Sequence, residues 1–356
     1  MSAIVRKLRR WRMVMSGFVV WTQYLASAQQ NVSAMFIQRN FLFIVMALAI
    51  GLAVFMGATV YQRPPASPPA PSPSTTEAFR AYWFSGKAEL NNYRLEQAQY
   101  GATYPGEAVL VFVTEDFRVD KQVKSESEAS RGAAIPVLKT NYIRRFTTGV
   151  YDYSLFTSVF TPIDQPKFPN TLKVSTSGQE WCGQSYVQMN YKDNAYRVSG
   201  RSYFEQEVAE DYGVDKALLE DELWNRIRLN PAKLPTGDVH LVPGTQAARL
   251  RHKKLAPILA TATLDSAQGL AWMQTHKPGV SAGPCKTYII DYEEDGRKLT
   301  IIFEAAFPHR IMGWEDTYTS KGKLLTSRAV LQKTIQSDYW NHNAPADSTL
   351  RNELGL

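Results

Sequence analysis

The stretch YIIDYEEDGRKLTIIF, residues Tyr288 to Phe303, decides the fold class. Tyr288, Ile290 and Tyr292 alternate with polar or neutral neighbours before Asp295-Gly296, and Leu299, Ile301 and Phe303 alternate after it. Period-two alternation places those side chains on one face of a strand. An Asp-Gly pair between two such runs is a strong short-range hairpin signal. A two-residue turn there predicts residue 292 opposite 299, 290 opposite 301 and 288 opposite 303. Each pair is apolar or aromatic, so one face of the hairpin is expected to be buried. Glu293 is then expected opposite Lys298 on the solvated face.

Working outward, Asp193-Asn194 predicts a second hairpin with Tyr191 against Tyr196, Met189 against Val198 and Val187 against Gly200. Strands are also predicted at Glu107–Thr114, Lys139–Phe146, Val150–Phe160, Leu172–Ser175 and Ile258–Leu264, mostly rich in Thr, Tyr, Val and Phe. One helix is predicted from an Asp215 cap through Leu219, Leu223 and Ile227 to a stop at Pro231, with Trp224 widening its apolar stripe. Shorter helices are predicted from Thr76 to Trp83 and from Leu264 to Thr275. The class expected is mainly β (α+β): a curved antiparallel sheet or half-barrel packed on one or two helices.

The run Phe41 to Val60 carries no charge and is long enough to cross a hydrocarbon core of roughly 30 Å as a helix. Residues 1–40 carry Arg6, Lys7, Arg9, Arg10, Arg12 and Arg39 without an acid, and hold most of the chain's formal charge of +7. The basic pI therefore belongs to the tail, and a nucleic-acid partner is not indicated. A positive flank before the span predicts a cytoplasmic N-terminus. The expected organisation is a basic cytoplasmic tail (1–40), a transmembrane signal anchor (41–61), a Pro-rich linker (62–77) and an extracytoplasmic β-rich domain (78–356). The compartment predicted for that domain is the periplasm, on a single-pass inner-membrane anchor. A cleaved signal peptide is the alternative, but no A-x-A site follows the span. A core helix fits poorly with the Pro-rich spacer RPPASPPAPSPSTT, Arg63 to Thr76, which reads as an extended linker. Met35 offers an alternative start.

The two cysteines, Cys182 and Cys285, both fall in the outer region, where an oxidising compartment permits a disulfide between them. Two buried thiols are the bland alternative.

No catalytic motif is present. The five histidines (His240, His252, His276, His309, His342) show no metal-ligand spacing, and neither G-x-S-x-G, a Walker loop nor G-x-G-x-x-G occurs. No cofactor and no metal are expected. The acidic triplet Glu220-Asp221-Glu222 reads as the wet face of a helix, and Glu293-Glu294-Asp295 as a hairpin tip. Candidate ligand-binding residues are Arg251 and His252, in the basic run Arg249 to Lys254, and His309 and Arg310, after a strand.

The strings AYWFSGKAEL (81–90), GEAVLVFVTE (106–115), QEWCG (179–183) and YWNHN (339–343) resemble a family of uncharacterised Bacteroidota envelope proteins. That family carries the name septum formation inhibitor Maf. The similarity spans most of residues 80–345 and implies an envelope protein, with no activity or site residue to carry over. True Maf proteins, cytosolic nucleotide pyrophosphatases of α/β fold, have a Ser-x-Ser-Pro-Arg-Arg loop that this chain lacks.

The function expected is a membrane-anchored binding or interaction module. Its aromatic-rich concave face would meet a lipid, glycan or envelope protein. The rivals are an envelope hydrolase, which would gather His309 with Glu304, Glu315 or Asp316, and a structural or division-associated partner protein.

Overall fold

The computed structural model describes residues 76–207, 209–277 and 283–356. The predicted anchor and most of the linker lie outside them. Among the described residues no helix is long and apolar enough to cross a membrane.

The elements in chain order are α1 (Glu77–Trp83), β1 (Ala88–Gln99), β2 (Ala102–Arg118), β3 (Val123–Lys124), α2 (Glu128–Arg131), β4 (Ala134–Thr148), β5 (Tyr151–Pro162), β6 (Lys173–Glu180), β7 (Gly183–Lys192), β8 (Ala195–Ser202), β9 (Ala209–Asp215), β10 (Leu218–Leu219), α3 (Leu223–Leu229), β11 (Gly237–Val242), α4 (Thr245–Leu250), β12 (Ile258–Asp265), α5 (Ala267–His276), β13 (Cys285–Tyr292), β14 (Arg297–Glu304), β15 (Ile311–Ser320), β16 (Lys323–Ser337) and α6 (Ser348–Leu354). They form one large sheet in the order β10-β11-β12-β13-β14-β15-β16-β1-β2-β4-β5-β6-β7-β8-β9, with β3 paired only to β2. Every pairing is antiparallel except the short β10–β11 contact. Two meanders are thus joined where β16, near the end of the chain, pairs with β1, near its start.

The sheet curves around its helices. Leu223, Trp224 and Ile227 of α3 share one core with Tyr93 (β1), Leu110 (β2), Tyr142 (β4), Tyr288 (β13), Ile301 (β14) and Trp314 (β15), so both arms of the sheet meet the same helix. At its centre the Trp314 ring lies 4.8 Å from Tyr93, 5.4 Å from Tyr142 and 5.3 Å from Trp224, centroid to centroid. Such tilted and edge-on pairs each add roughly 0.5–1.5 kcal/mol beyond the area they bury. The concave aromatic face expected to meet a ligand is therefore filled by α3 instead.

The hairpin of Tyr288–Phe303 forms, but in a different register. Tyr292 pairs with Arg297, Ile290 with Leu299 and Tyr288 with Ile301. The loop has four residues: a 3-10 turn over Glu293–Asp295, closed by Gly296 at φ +59°. The shift is by two residues, which preserves the face, so all six alternating apolar residues stay buried. Lys298 then faces Asp291, at 2.6 Å, and not Glu293. The Asp193-Asn194 hairpin forms in the predicted register, with both turn residues at positive φ (52° and 61°), as a two-residue turn of this hand requires.

The long helix does not begin at Asp215. That residue ends β9, the chain stays extended through Leu218–Leu219, and the helix proper spans only Leu223–Leu229. A 3-10 turn, Glu220–Glu222, precedes it, and all three acids are buried rather than wet. Tertiary partners explain this. Arg297 binds both Glu220 (2.5 Å) and Asp316 (2.7 Å), Asp221 accepts the backbone N–H of Thr245 (2.9 Å), and Glu222 accepts from Thr171 and from Leu219 N–H. The four-residue spacing of Leu219, Leu223 and Ile227 recorded burial correctly, while its first member belongs to a strand.

The cysteines do not pair. Cys182 is an exposed thiol in the β6–β7 turn, whereas Cys285 is buried at the start of β13. The Cys285 backbone sits beneath α5, close enough to touch a Cβ placed on Gly269, and burial raises its thiol pKa.

Candidate functional site

A pocket of about 220 Å³ opens between the β6–β8 face and the segment formed by α4 and residues 251–255. Thr176 and Thr245 lie at its base, their hydroxyls 2.5 Å apart, and Thr176 also meets Thr157 at 2.7 Å. Gln246 of α4 donates to the Tyr142 carbonyl (3.0 Å) and to the Thr157 hydroxyl (3.1 Å), which pins the helix to the sheet. Val187, Ala248 and Leu255 supply apolar wall.

The charged lining is Arg201, Arg249, His252, Lys253 and Lys254 against Glu207 and Glu210. Arg249 is fully engaged: it bonds Glu180 and Ser185, both at 2.9 Å, and stacks 4.6 Å over Phe204. His252 Nδ1 meets Glu207 Oε1 at 2.7 Å, with its backbone in the left-handed region at φ 53°. Lys253 is 3.6 Å from Asp295. Arg201 and Lys254 have no carboxylate within 4.0 Å among the described residues; Arg201 donates only to its neighbour's carbonyl, and Lys254 lies 4.2 Å over the Tyr212 ring. Across the pocket, burial and the nearby Glu207 push the Glu210 carboxyl up, and Lys254 partly offsets them. Burial also pushes the Tyr212 hydroxyl, which donates to the Leu255 carbonyl, up to about 12. The arrangement is a polar-floored hollow with two cations at its edge that form no close ion pair among the described residues.

Of the four candidate residues, only His252 lines this pocket. Arg251, its neighbour, turns away to Asp295 and stacks 5.6 Å over Tyr318. His309 and Arg310 lie in the β14–β15 turn, at the opposite end of the strands from His252. The His309 ring contacts the Glu304 carbonyl at 3.2 Å, and burial lowers its pKa. Arg310 makes two bonds to the Glu304 carboxylate, at 2.9 and 2.6 Å, and borders a second hollow with Tyr82, Phe307 and Thr334.

The constellation suggested for a hydrolase does not converge. Glu304 is held by Arg310, Glu315 by Arg328 (2.6 Å) and Asp316 by Arg297. Among the described residues no group of three or more His, Cys, Asp or Glu side chains is placed to hold a metal ion.

The sequence reading missed Arg201, Lys254, Glu207 and Glu210. The signal that could have found Lys254 was already in hand, in the run Arg249 to Lys254. Arg201 and the two glutamates come from β8, β9 and the turn between them, which only the fold brings opposite that run.

No protein-family model, curated protein or solved structure matches the chain.

Proposed function

We propose that this is a binding module, held in a bacterial inner membrane by the Phe41–Val60 run, whose periplasmic domain takes a small anionic ligand in the pocket beside α4. The observation that carries this reading is the pair Arg201 and Lys254, cations with no carboxylate within 4.0 Å among the described residues, at the rim of a hollow floored by threonine hydroxyls. Both cations are exposed at that rim, where two positive charges together steer an anion toward the hollow, more strongly at low ionic strength. The apolar wall leaves room for a non-polar portion on the ligand, as most small-molecule sites do.

A test is to purify the full chain gently and identify the molecules it releases on denaturation by mass spectrometry. A phosphate- or carboxylate-bearing compound recovered near stoichiometry supports the reading. Recovery of only neutral compounds contradicts it.

One observation favours a second reading, that of an envelope hydrolase. The Glu207 carboxylate lies 2.7 Å from His252 Nδ1 and Arg249 Nη1 lies 3.3 Å from the same nitrogen, which together orient an exposed imidazole at the pocket mouth. Release of product from ester substrates, lost in His252→Gln, would establish it.

A further inference from the structure

Five successive hairpin turns lie in a row along one end of the sheet: Lys321-Gly322 (β15–β16), Tyr100-Gly101 (β1–β2), Gly149-Val150 (β4–β5), Trp181-Cys182 (β6–β7) and Tyr203-Phe204 (opening the β8–β9 turn). Adjacent antiparallel strands are about 4.8 Å apart, so neighbouring tips stand roughly 10 Å apart. Contacts link them. Lys321 Nζ lies 5.3 Å over the Tyr100 ring, the Tyr100 and Tyr153 hydroxyls are 2.5 Å apart, and a Cβ on Gly183 would fall 2.7 Å from the Tyr203 ring.

The four most exposed large apolar residues of the described chain all belong to this row. They are Val150 (78%), Tyr203 (76%), Leu324 (70%) and Trp181 (69%), and no other exceeds 50%. Exposed apolar side chains scattered singly need no explanation, but gathered on one surface they do. Lys321 and Lys323, at one end of the row, have no carboxylate within 4.0 Å among the described residues; the acidic Glu293–Asp295 tip lies beyond them, and at the other end Glu205 and Glu207 share the β8–β9 turn with Tyr203. Residue 76, where the linker enters, lies at the opposite end of the strands, because α1 packs on the β14–β15 turn through Phe79 and Phe307.

We infer that this row docks on an anionic lipid bilayer, with Trp181, Tyr203, Val150 and Leu324 seated in the interface and Lys321 and Lys323 facing headgroups. Trp and Tyr suit that depth because each has an apolar body and a polar tip. Lysines beside them add electrostatic attraction to an anionic surface. A partner protein or a second copy of this chain would also cover apolar tips, but Lys321 and Lys323, which make no ion pair among the described residues, suit an anionic surface.

The exposed thiol of Cys182, inside the row, gives a direct probe, since Cys285 is buried. The full chain would be labelled at Cys182 with a polarity-sensitive fluorophore, held in phosphatidylcholine nanodiscs, and mixed with vesicles. Mixed phosphatidylglycerol–phosphatidylcholine vesicles are expected to shift the emission to the blue, and pure phosphatidylcholine vesicles to leave it unchanged. At about 1 kcal/mol per lysine near an anionic surface, Lys321→Gln with Lys323→Gln should weaken the response roughly thirty-fold. Trp181→Ser with Tyr203→Ser should abolish it, with the near-ultraviolet circular dichroism of both variants showing an intact fold. No shift on anionic vesicles overturns the proposal, as does an equal shift on neutral ones. A shift that appears without vesicles and grows with protein concentration assigns the row to a second copy and also overturns it.

Discussion

Asp221 is wholly buried with one backbone N–H donor, and its pKa rises to about 7, chiefly by desolvation. The unfolded carboxyl titrates near 3.8. Between those values the folded state binds the extra proton, so this group lowers stability as pH rises from about 4 to 7. Asp221→Asn keeps an acceptor for Thr245 N–H and removes the titration. Thermal unfolding of that variant should show a higher midpoint than the parent at pH 8 and a flatter profile between pH 4 and 7. Glu220, one residue away, behaves in the opposite sense. Burial would raise it, but Arg297 outweighs that and holds it below its ordinary value, so its contribution is lost as pH falls below the usual carboxylate range. Removing the cation with Arg297→Met leaves Glu220 and Asp316 buried and unpaired, and should cost about 3–5 kcal/mol in denaturant unfolding. At Cys182 and Cys285, reductant should leave the melting temperature unchanged. Native chain should react with a thiol reagent at Cys182 alone, and Cys285 should react only on unfolding.

At the scale of elements, hairpins were legible where the turn chemistry allowed one answer. Asp193-Asn194 sits between two alternating runs with no spare residues, and its predicted register holds. Asn194→Val forces a β-branched side chain into the left-handed region, and should cost about 1–2 kcal/mol by denaturant titration at unchanged slope. Around Asp295-Gly296 the same rule found the face but missed the register. Glu293 and Glu294 can join the loop without moving any apolar residue off the buried face, so the pattern does not discriminate. The segment 215–230 misled for a different reason. Leu219, Leu223 and Ile227 are all buried, yet strand, 3-10 turn and helix satisfy that burial in succession. What settles it for Glu220 and Asp221 is Arg297 and the Thr245 backbone N–H that receive them, and those come from more than twenty residues away. Asn225 makes the same point: it is buried in α3, donating to the Leu138 carbonyl and the Thr161 hydroxyl and so tying the helix to β4 and β5. No local pattern announces it.

Across the whole molecule, a long antiparallel meander was visible in the alternation, whereas its pairing of β16 with β1 and its filled concave face were not. That face holds α3, so the surfaces proposed for binding lie at the strand ends. The row of turns and the pocket beside α4 share one such end, and the pocket sits where β6–β8 meet the basic run. Its anion affinity should depend on pH. Burial and Glu207 raise the Glu210 carboxyl, so acidification protonates it earlier than an ordinary glutamate and removes a repulsive charge. Sulfate keeps a constant charge over pH 5–8, and its affinity should therefore rise toward the acidic end of that range. The measurement that tests the central claim most directly is calorimetric titration of the full chain with inorganic phosphate, alongside Arg201→Ala with Lys254→Ala. Saturable one-to-one binding, weakened at least tenfold in the double variant at an unchanged melting temperature, is the result predicted. No binding up to millimolar phosphate, or equal binding by the double variant, would contradict it.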